Sequence, residues 1–234
     1  MEVIILAGGL GTRLRSMISN IPKCMAPVAG QPFISYLFSY LKKQQGITRV
    51  VLSVGYLHEA IISWNNSQKN LPFDVEFSIE EEPLGTGGAI KEALKKTNGS
   101  DIFILNGDTF FDVPLFDFLK SHKESSAVLS IALKPMKQFE RYGNVIMNDN
   151  SIIADFQEKQ YCEKGLINGG IYLLRKNCEL MDGLPEKFSF ETDVLQKKVT
   201  NKIIHGFVYD QYFIDIGIPD DYQKANTEFS FFFK

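Results

Sequence analysis

A chain of 234 residues, 44% hydrophobic and 23% charged, can bury a substantial core in one domain and has too ordinary a balance for disorder. Its formal net charge of -3 argues against a nucleic-acid-binding surface, so phosphate ligands must be met by local cations or a metal. Three scattered cysteines (Cys24, Cys162, Cys178) and three histidines (His58, His122, His205) without ligand spacing exclude a disulfide framework and a zinc site. With no signal peptide and no apolar run of about 18 residues, the expectation is a cytoplasmic protein without a membrane partner.

The run Ile4-Ile5-Leu6-Ala7 reads as a buried strand and breaks into Gly8-Gly9-Leu10-Gly11-Thr12-Arg13-Leu14, with Pro22-Lys23 downstream. Glycines bring backbone N–H groups close to a ligand, and Arg13 and Lys23 add cations, so the stretch is a candidate polyphosphate receptor. A Walker A loop is excluded because Thr12-Arg13 follows Gly11 where Lys-Ser/Thr would be required. A dinucleotide fingerprint is disfavoured because Leu14 stands where a third small residue belongs, and no acid lies about 20 residues on.

Helical spacing then runs from Phe33 to Gln45, closed by Gly46. Val50–Val54 reads as a strand, Leu57–Trp64 as a helix, Val75–Ile79 as a strand, Gly87–Lys96 as a helix and Ile102–Leu105 as a strand. This alternation predicts a parallel sheet wound by helices. The second half is less regular. Strands are predicted at Ala127–Leu133, Gly169–Leu174, Ile203–Tyr209 and Tyr212–Ile214, and a hairpin from Asn144–Met147 to Ile152–Phe156 across a polar turn. Ser189 is positioned to cap a helix reaching Val199, and Pro219 to open a last helix to about Glu228. The closing Phe229, Phe231, Phe232 and Phe233 read as a packing or subunit contact, which leaves a homodimer open.

Two acids stand at the ends of apolar strands. Asp108 closes Asn106-Gly107-Asp108, and Asp215 lies in Phe213-Ile214-Asp215-Ile216-Gly217. Strand ends are where open α/β sheets bind ligands, and carboxylates are natural anchors for Mg²⁺ in phosphate chemistry. A turn is the alternative for the first. Glu80 precedes Pro83-Leu84-Gly85-Thr86-Gly87-Gly88, where the glycines permit close approach of a flat ligand. A carboxylate there can accept two hydrogen bonds from guanine but has one such partner on uracil or thymine. Gly143, Glu158, Lys159, Asn168, Gly169 and Glu191 offer backbone, carboxylate, ammonium and amide groups suited to a sugar phosphate, though each alone is ordinary for a surface loop.

The ordered set Gly-Gly-x-Gly-Thr-Arg-Leu, Pro22-Lys23, Asp108 and Asp215 resembles the signature of the sugar nucleotidyltransferases. Within them the chain looks most like the D-glycero-α-D-manno-heptose 1-phosphate guanylyltransferases, on the stretches 21–28, 83–89 and 188–193. The resemblance spans Met1 to about Tyr222. It implies a Rossmann-like three-layer α/β/α fold with a mixed, mostly parallel sheet, as one domain over 1–234 without a C-terminal hexapeptide-repeat domain. It implies GTP and a sugar 1-phosphate as partners and Mg²⁺ as cofactor, held by Asp108 and Asp215. Arg13, Lys23, Asp108 and Asp215 would act in catalysis. Leu6, Ala7, Gly8, Gly9, Gly11, Thr12, Arg13, Lys23, Glu80, Gly85, Thr86 and Asp108 would contact the nucleotide. Gly143, Glu158, Lys159, Asn168, Gly169 and Glu191 would contact the sugar phosphate. Another hexose 1-phosphate as substrate, a catalytically silent nucleotide-sugar sensor, a molybdenum-cofactor-type guanylyltransferase and a dinucleotide-dependent oxidoreductase are the competing readings.

Overall fold

The computed structural model describes residues 1–9 and 21–233. Strand β1 (Glu2–Leu6) is central. Two short strands, β2 (Pro27–Val28) and β3 (Gln31–Pro32), lead into α1 (Phe33–Lys43), β4 (Arg49–Val54), α2 (His58–Ser67), β5 (Asp74–Ile79), α3 (Gly85–Leu94) and β6 (Asp101–Asn106). Strands β4, β1 and β6 pair in parallel, with β5 parallel beyond β4. Val3, Ile4 and Ile5 are fully buried because helices cover both faces of this sheet.

Alternation of side chains sorts the core into two layers. Val3 and Ile5 pack with Leu37 of α1, Ile61 of α2 and Phe229 near the chain end. Ile4, Val51 and Ile104 pack on the other face with Ile90 and Ala93 of α3 and with Phe190 and Val194. The predicted three-layer α/β/α arrangement with a mixed sheet is what the chain adopts.

The second half contains β7 (Thr109–Phe111), α4 (Leu115–Glu124), β8 (Leu129–Phe139), β9 (Gly143–Met147), β10 (Ile153–Lys159), β11 (Cys162–Arg175), β12 (Ile204–Val208), β13 (Phe213–Asp215) and α5 (Pro219–Phe232). Strand β11 pairs antiparallel with both β6 and β8, which makes the sheet mixed. The β9–β10 hairpin forms as expected, with Asn148 Oδ1 accepting the Asn150 and Ile152 N–H groups. Two elements lie outside the predicted set: β7, too short to show a period, and α4, which begins directly after Pro114. The segment capped by Ser189 forms as a π-helix, Phe190–Gln196, with the Ser189 hydroxyl accepting the Thr192 N–H at 3.2 Å.

The final helix runs past its predicted end and takes in the phenylalanine-rich stretch. Phe229 is buried against Phe33, Tyr36 and Phe110, while Phe231 and Phe232 are exposed. Part of that stretch is therefore intramolecular packing. No helix among the described residues is long and apolar enough to cross a membrane.

Candidate active site

The parallel strands β1, β4, β5 and β6 release their loops at one edge of the sheet. A cleft of about 470 Å³ opens there, lined by residues that follow β1, β5 and β6 and by Ser53 of β4, among them Gly8, Gly9, Lys23, Glu80, Thr86 and Asp108. This is the carboxyl-end crevice in which open α/β sheets hold ligands. Leu6, Ala7 and Gly85 also line it. Gly11, Thr12 and Arg13 lie outside the described residues.

Lys23 sits on a single 3₁₀ turn, Lys23–Met25, that starts after Pro22. Its ammonium donates to Asp108 Oδ2 and stands 3.9 Å from Asp215 Oδ1. The two acids meet because β7 pairs with β13: Asp215 is opposite Thr109, and the Ile216 N–H donates to the Asp108 carbonyl at 3.0 Å. Burial, and next the negative charge of Asp108, push the Asp215 carboxyl up to about 6, against the opposing pull of Lys23 and the Gly217 N–H. Two acids that share one ammonium and repel one another have capacity for a further cation.

Among the described residues no group of three or more His, Cys, Asp and Glu side chains could hold a metal ion. A two-carboxylate set still suits Mg²⁺, which is commonly bound by one or two carboxylates with substrate phosphates completing its shell.

Glu80 follows β5 and is held from behind. Its Oε1 accepts the Ser53 hydroxyl at 3.3 Å and its Oε2 the Leu84 N–H at 3.0 Å. A Cβ on Gly8 would stand 3.1 Å from Glu80 Oε1, so glycine is what lets this carboxylate close over the first loop. Thr86 lies in the first turn of α3, whose N-terminal end opens on the cleft.

The glycines of this loop also answer a packing demand within the chain. A Cβ on Gly87 would overlap the Phe188 ring, and one on Gly88 would overlap the Glu186 carbonyl. Gly85, at φ +72°, would set a Cβ 2.5 Å from Phe188 O. What approaches these positions closely is the segment 186–188, which is bound to the loop by Gly87 N–H to Phe188 O and Phe188 N–H to Leu84 O, both 3.0 Å.

The sugar-side residues are less gathered. Glu191 lines the cleft and accepts the Thr86 hydroxyl at 2.6 Å. Gly143 and Lys159 face one another across the β9–β10 hairpin, and Glu158 and Lys159 are exposed. None of these three lines the cleft among its described walls. Asn168 is turned onto its own strand: Nδ2 donates to Tyr172 Oη at 2.9 Å and Oδ1 accepts the Gly170 N–H at 3.0 Å. Gly169 gives room to the Phe111 ring, and Gly170, at φ +72°, packs on Asn106, a wall of the cleft. Tyr142 stacks edge-on against Phe213 at 6.1 Å, and its phenol is pushed up by burial and then by the charge of Asp215, which places the loop before Gly143 beside the acid pair.

Three wall residues with a hydroxyl, thiol or amide side chain were not anticipated. Ser53 is a buried hydroxyl in an otherwise apolar strand, and that break in pattern was a readable signal. Cys24 follows Lys23 into the wall, where burial and the charge of Asp108 push its thiol up to about 12. Asn106 was visible only as part of a turn. Asp215 is not itself among the described walls of the cleft and reaches it through Lys23; an ammonium, the Asp108 carboxylate backed by Asp215 and the fixed Glu80 carboxylate together suit the binding of phosphates.

Comparison with known proteins agrees with this geometry. The nucleotidyl transferase family profile matches residues 2–230. The D-glycero-alpha-D-manno-heptose 1-phosphate guanylyltransferase of Aneurinibacillus thermoaerophilus is 52% identical over 228 residues, 97% of this chain and 98% of that one. The enzyme of the same name from Campylobacter jejuni is 47% identical over 95% of this chain and 97% of its own. Among solved structures, HddC from Yersinia pseudotuberculosis complexed with GMP-PN superposes with a TM-score of 0.86 at 39% identity, covering 97% of this chain and 99% of that one. With the family profile matched over nearly its whole length and near full-length similarity to such enzymes, this chain belongs to the nucleotidyl transferase family.

Proposed function

We propose that this enzyme transfers GMP from GTP to D-glycero-α-D-manno-heptose 1-phosphate, giving GDP-heptose and pyrophosphate. The observation that carries the reading is the 52% identity, over nearly the full length of both chains, to a relative of that name. The position of Glu80 supports guanine. Ser53 and Leu84 hold its carboxylate in place and leave a free lone pair on each oxygen for the N1–H and amino group of the base.

An oxygen of the sugar 1-phosphate attacks the α-phosphorus. The bond from that phosphorus to the α–β bridging oxygen breaks, and pyrophosphate leaves with the electron pair. The nucleophile, with a second pKa of about 6, is already ionised at neutral pH, so no general base is required. The obstacle is repulsion between roughly four negative charges on the triphosphate and two on the sugar phosphate. Lys23, anchored by Asp108 and facing Asp215, is assigned the α-phosphate. The amides of Gly8 and Gly9, with Arg13 beyond the described residues, are assigned the departing phosphates. Asp108 and Asp215 are assigned a Mg²⁺ ion, which when bound supplies charge neutralisation between the two anions. Lys159, Glu158, Gly143, Asn168 and Gly169 are assigned the sugar phosphate. Loop movement on binding would have to bring the exposed Glu158 and Lys159 inward. The enzyme acts as a single nucleotidyltransferase domain in the cytoplasm.

Pyrophosphate release measured over a grid of four nucleoside triphosphates and several sugar 1-phosphates tests this. The highest kcat/KM is expected for GTP with the heptose 1-phosphate. A preference for UTP or dTTP would overturn the base assignment, and a preference for mannose 1-phosphate the sugar assignment.

A further inference from the structure

Thr86 was expected to contact the nucleotide, and its hydroxyl makes both a donor and an acceptor contact within the chain. It donates to Glu191 Oε2 at 2.6 Å and accepts the Phe190 N–H at 2.9 Å. The Ser189 hydroxyl reaches the same Oε2 at 3.1 Å. Both hydrogen bonds that Glu191 accepts from described residues thus fall on one oxygen, which leaves Oε1 available in the cleft. Beside this contact an added methyl at Gly85, Gly87 or Gly88 would overlap Glu186 or Phe188. Gly87 N–H to Phe188 O and Phe188 N–H to Leu84 O close the seam on its other side.

From this geometry we infer that Thr86 is a positioning residue for the sugar half of the site: its hydroxyl fixes Glu191 so that Oε1 accepts a sugar hydroxyl, and it joins the nucleotide loop to the sugar-binding segment as one unit. The sugar role of Glu191 rests on the function proposed above; the lock itself rests on the hydrogen bonds. A hydroxyl with its single proton committed to Glu191 has none to give a nucleotide. A carboxylate with one oxygen tied by two donors keeps a single orientation, and orientation is what an acceptor for a sugar hydroxyl must supply. Ligands on the two halves are then coupled through a rigid contact, and such coupling is reciprocal.

The test compares Thr86→Val, Thr86→Ser, Glu191→Gln and the Thr86→Val/Glu191→Gln double variant, with KM for each substrate, kcat, and hydrogen exchange at the Phe190 amide. Thr86→Val is expected to raise KM for the sugar 1-phosphate about ten-fold while KM for GTP stays within about two-fold. Thr86→Ser restores the wild-type values, and the double variant is no worse than Glu191→Gln alone. Protection of the Phe190 amide falls in Thr86→Val and returns in Thr86→Ser. A rise confined to the GTP KM, no rescue by serine, or multiplicative effects in the double variant would overturn the positioning role. Unchanged exchange at Phe190 in Thr86→Val would overturn the lock. A wild-type enzyme that releases no pyrophosphate from any substrate pair would remove the functional reading and the sugar role with it, while the exchange measurement still decides the lock.

Discussion

Two glycines at the edge of the cleft should respond to the same substitution in opposite ways. In an exposed helix, replacing glycine by alanine stabilises by about 1 kcal/mol through backbone entropy. Gly88, in the first turn of α3, is buried, and its added methyl would overlap the Glu186 carbonyl and stand 2.8 Å from Leu84 Cβ. Backbone cannot swing aside as a flexible side chain can, so the segment 186–188 must retreat. Overpacking of this kind costs about 1–3 kcal/mol. Weakening the Gly87–Phe188 and Phe188–Leu84 hydrogen bonds adds about 1 kcal/mol each. Set against the entropic gain, the net loss for Gly88→Ala is about 2–4 kcal/mol, a fall in Tm of roughly 5–15 °C for a domain of this size. Among the described residues, nothing lies within 4 Å of where a Cβ on Gly9 would stand. Gly9→Ala should leave Tm within about 1 °C and raise KM for GTP, because the space it fills is assigned to phosphate. Thermal melts of the unliganded chains and GTP saturation curves read both effects. Equal or higher stability in Gly88→Ala would refute the packing argument. A melting loss in Gly9→Ala would show that its glycine serves the fold.

Lys23→Ala and Asp108→Asn are each expected to lower kcat at least ~100-fold with the fold retained, since both act on developing charge; near-normal turnover in either removes the assignment. Asp215→Asn should abolish turnover yet raise the Tm of the metal-free chain at pH 7.5. Its carboxyl is lifted from 3.8 to about 6, so at neutral pH ionisation works against the fold by about 2–3 kcal/mol. That advantage of the variant should shrink as pH falls from about 6 toward 4, where the folded wild type takes up the proton first; a gain independent of pH would refute it. Chelation of divalent cations with EDTA should stop pyrophosphate release, and Mg²⁺ should restore it; full activity in EDTA would remove the metal. His122 is fully buried, with Ser130 Oγ at 2.7 Å, Asp101 at 3.5 Å, and Arg175 and His205 nearby, and burial first of all lowers its pKa. A folded pKa below the unfolded one means that the unfolded chain binds the proton first as pH drops below about 6.5, so stability is lost there. His122→Gln should flatten the fall in Tm between pH 7.5 and 5.5; an unchanged slope would exclude His122 as its source.

Much of the parallel half was legible. Runs such as Ile4-Ile5-Leu6 and Val50-Val51-Leu52 are apolar on both faces, and that pattern suits strands covered by helices on both sides. Glu80 could be singled out because a charged group before a glycine-rich loop at a strand end has few structural reasons to be there, and Lys23 because Pro22-Lys23 belongs to the motif the chain resembles. Helix α4 was passed over although Leu115, Phe118 and His122 are buried along one side of it. The packing of segment 186–188 on Gly87 and Gly88 was not legible, because a glycine signals close approach without saying what approaches.

The order of residues by itself determined the strand-and-helix alternation, the glycine turn after β1 and the pool of acids and cations from which a phosphate site could be built. These are local matters, set by side-chain period and backbone freedom. Which acids meet was decided only by tertiary structure. Asp108 and Asp215 stand 107 positions apart in the chain, and they share Lys23 because β7 and β13 pair in one register. A shift of that register by one residue would turn Asp215 to the opposite face of its strand. The attachment of Thr86 to Glu191 has the same origin: a hydrogen bond between distant segments depends on how the core packs, and chain spacing carries no trace of it.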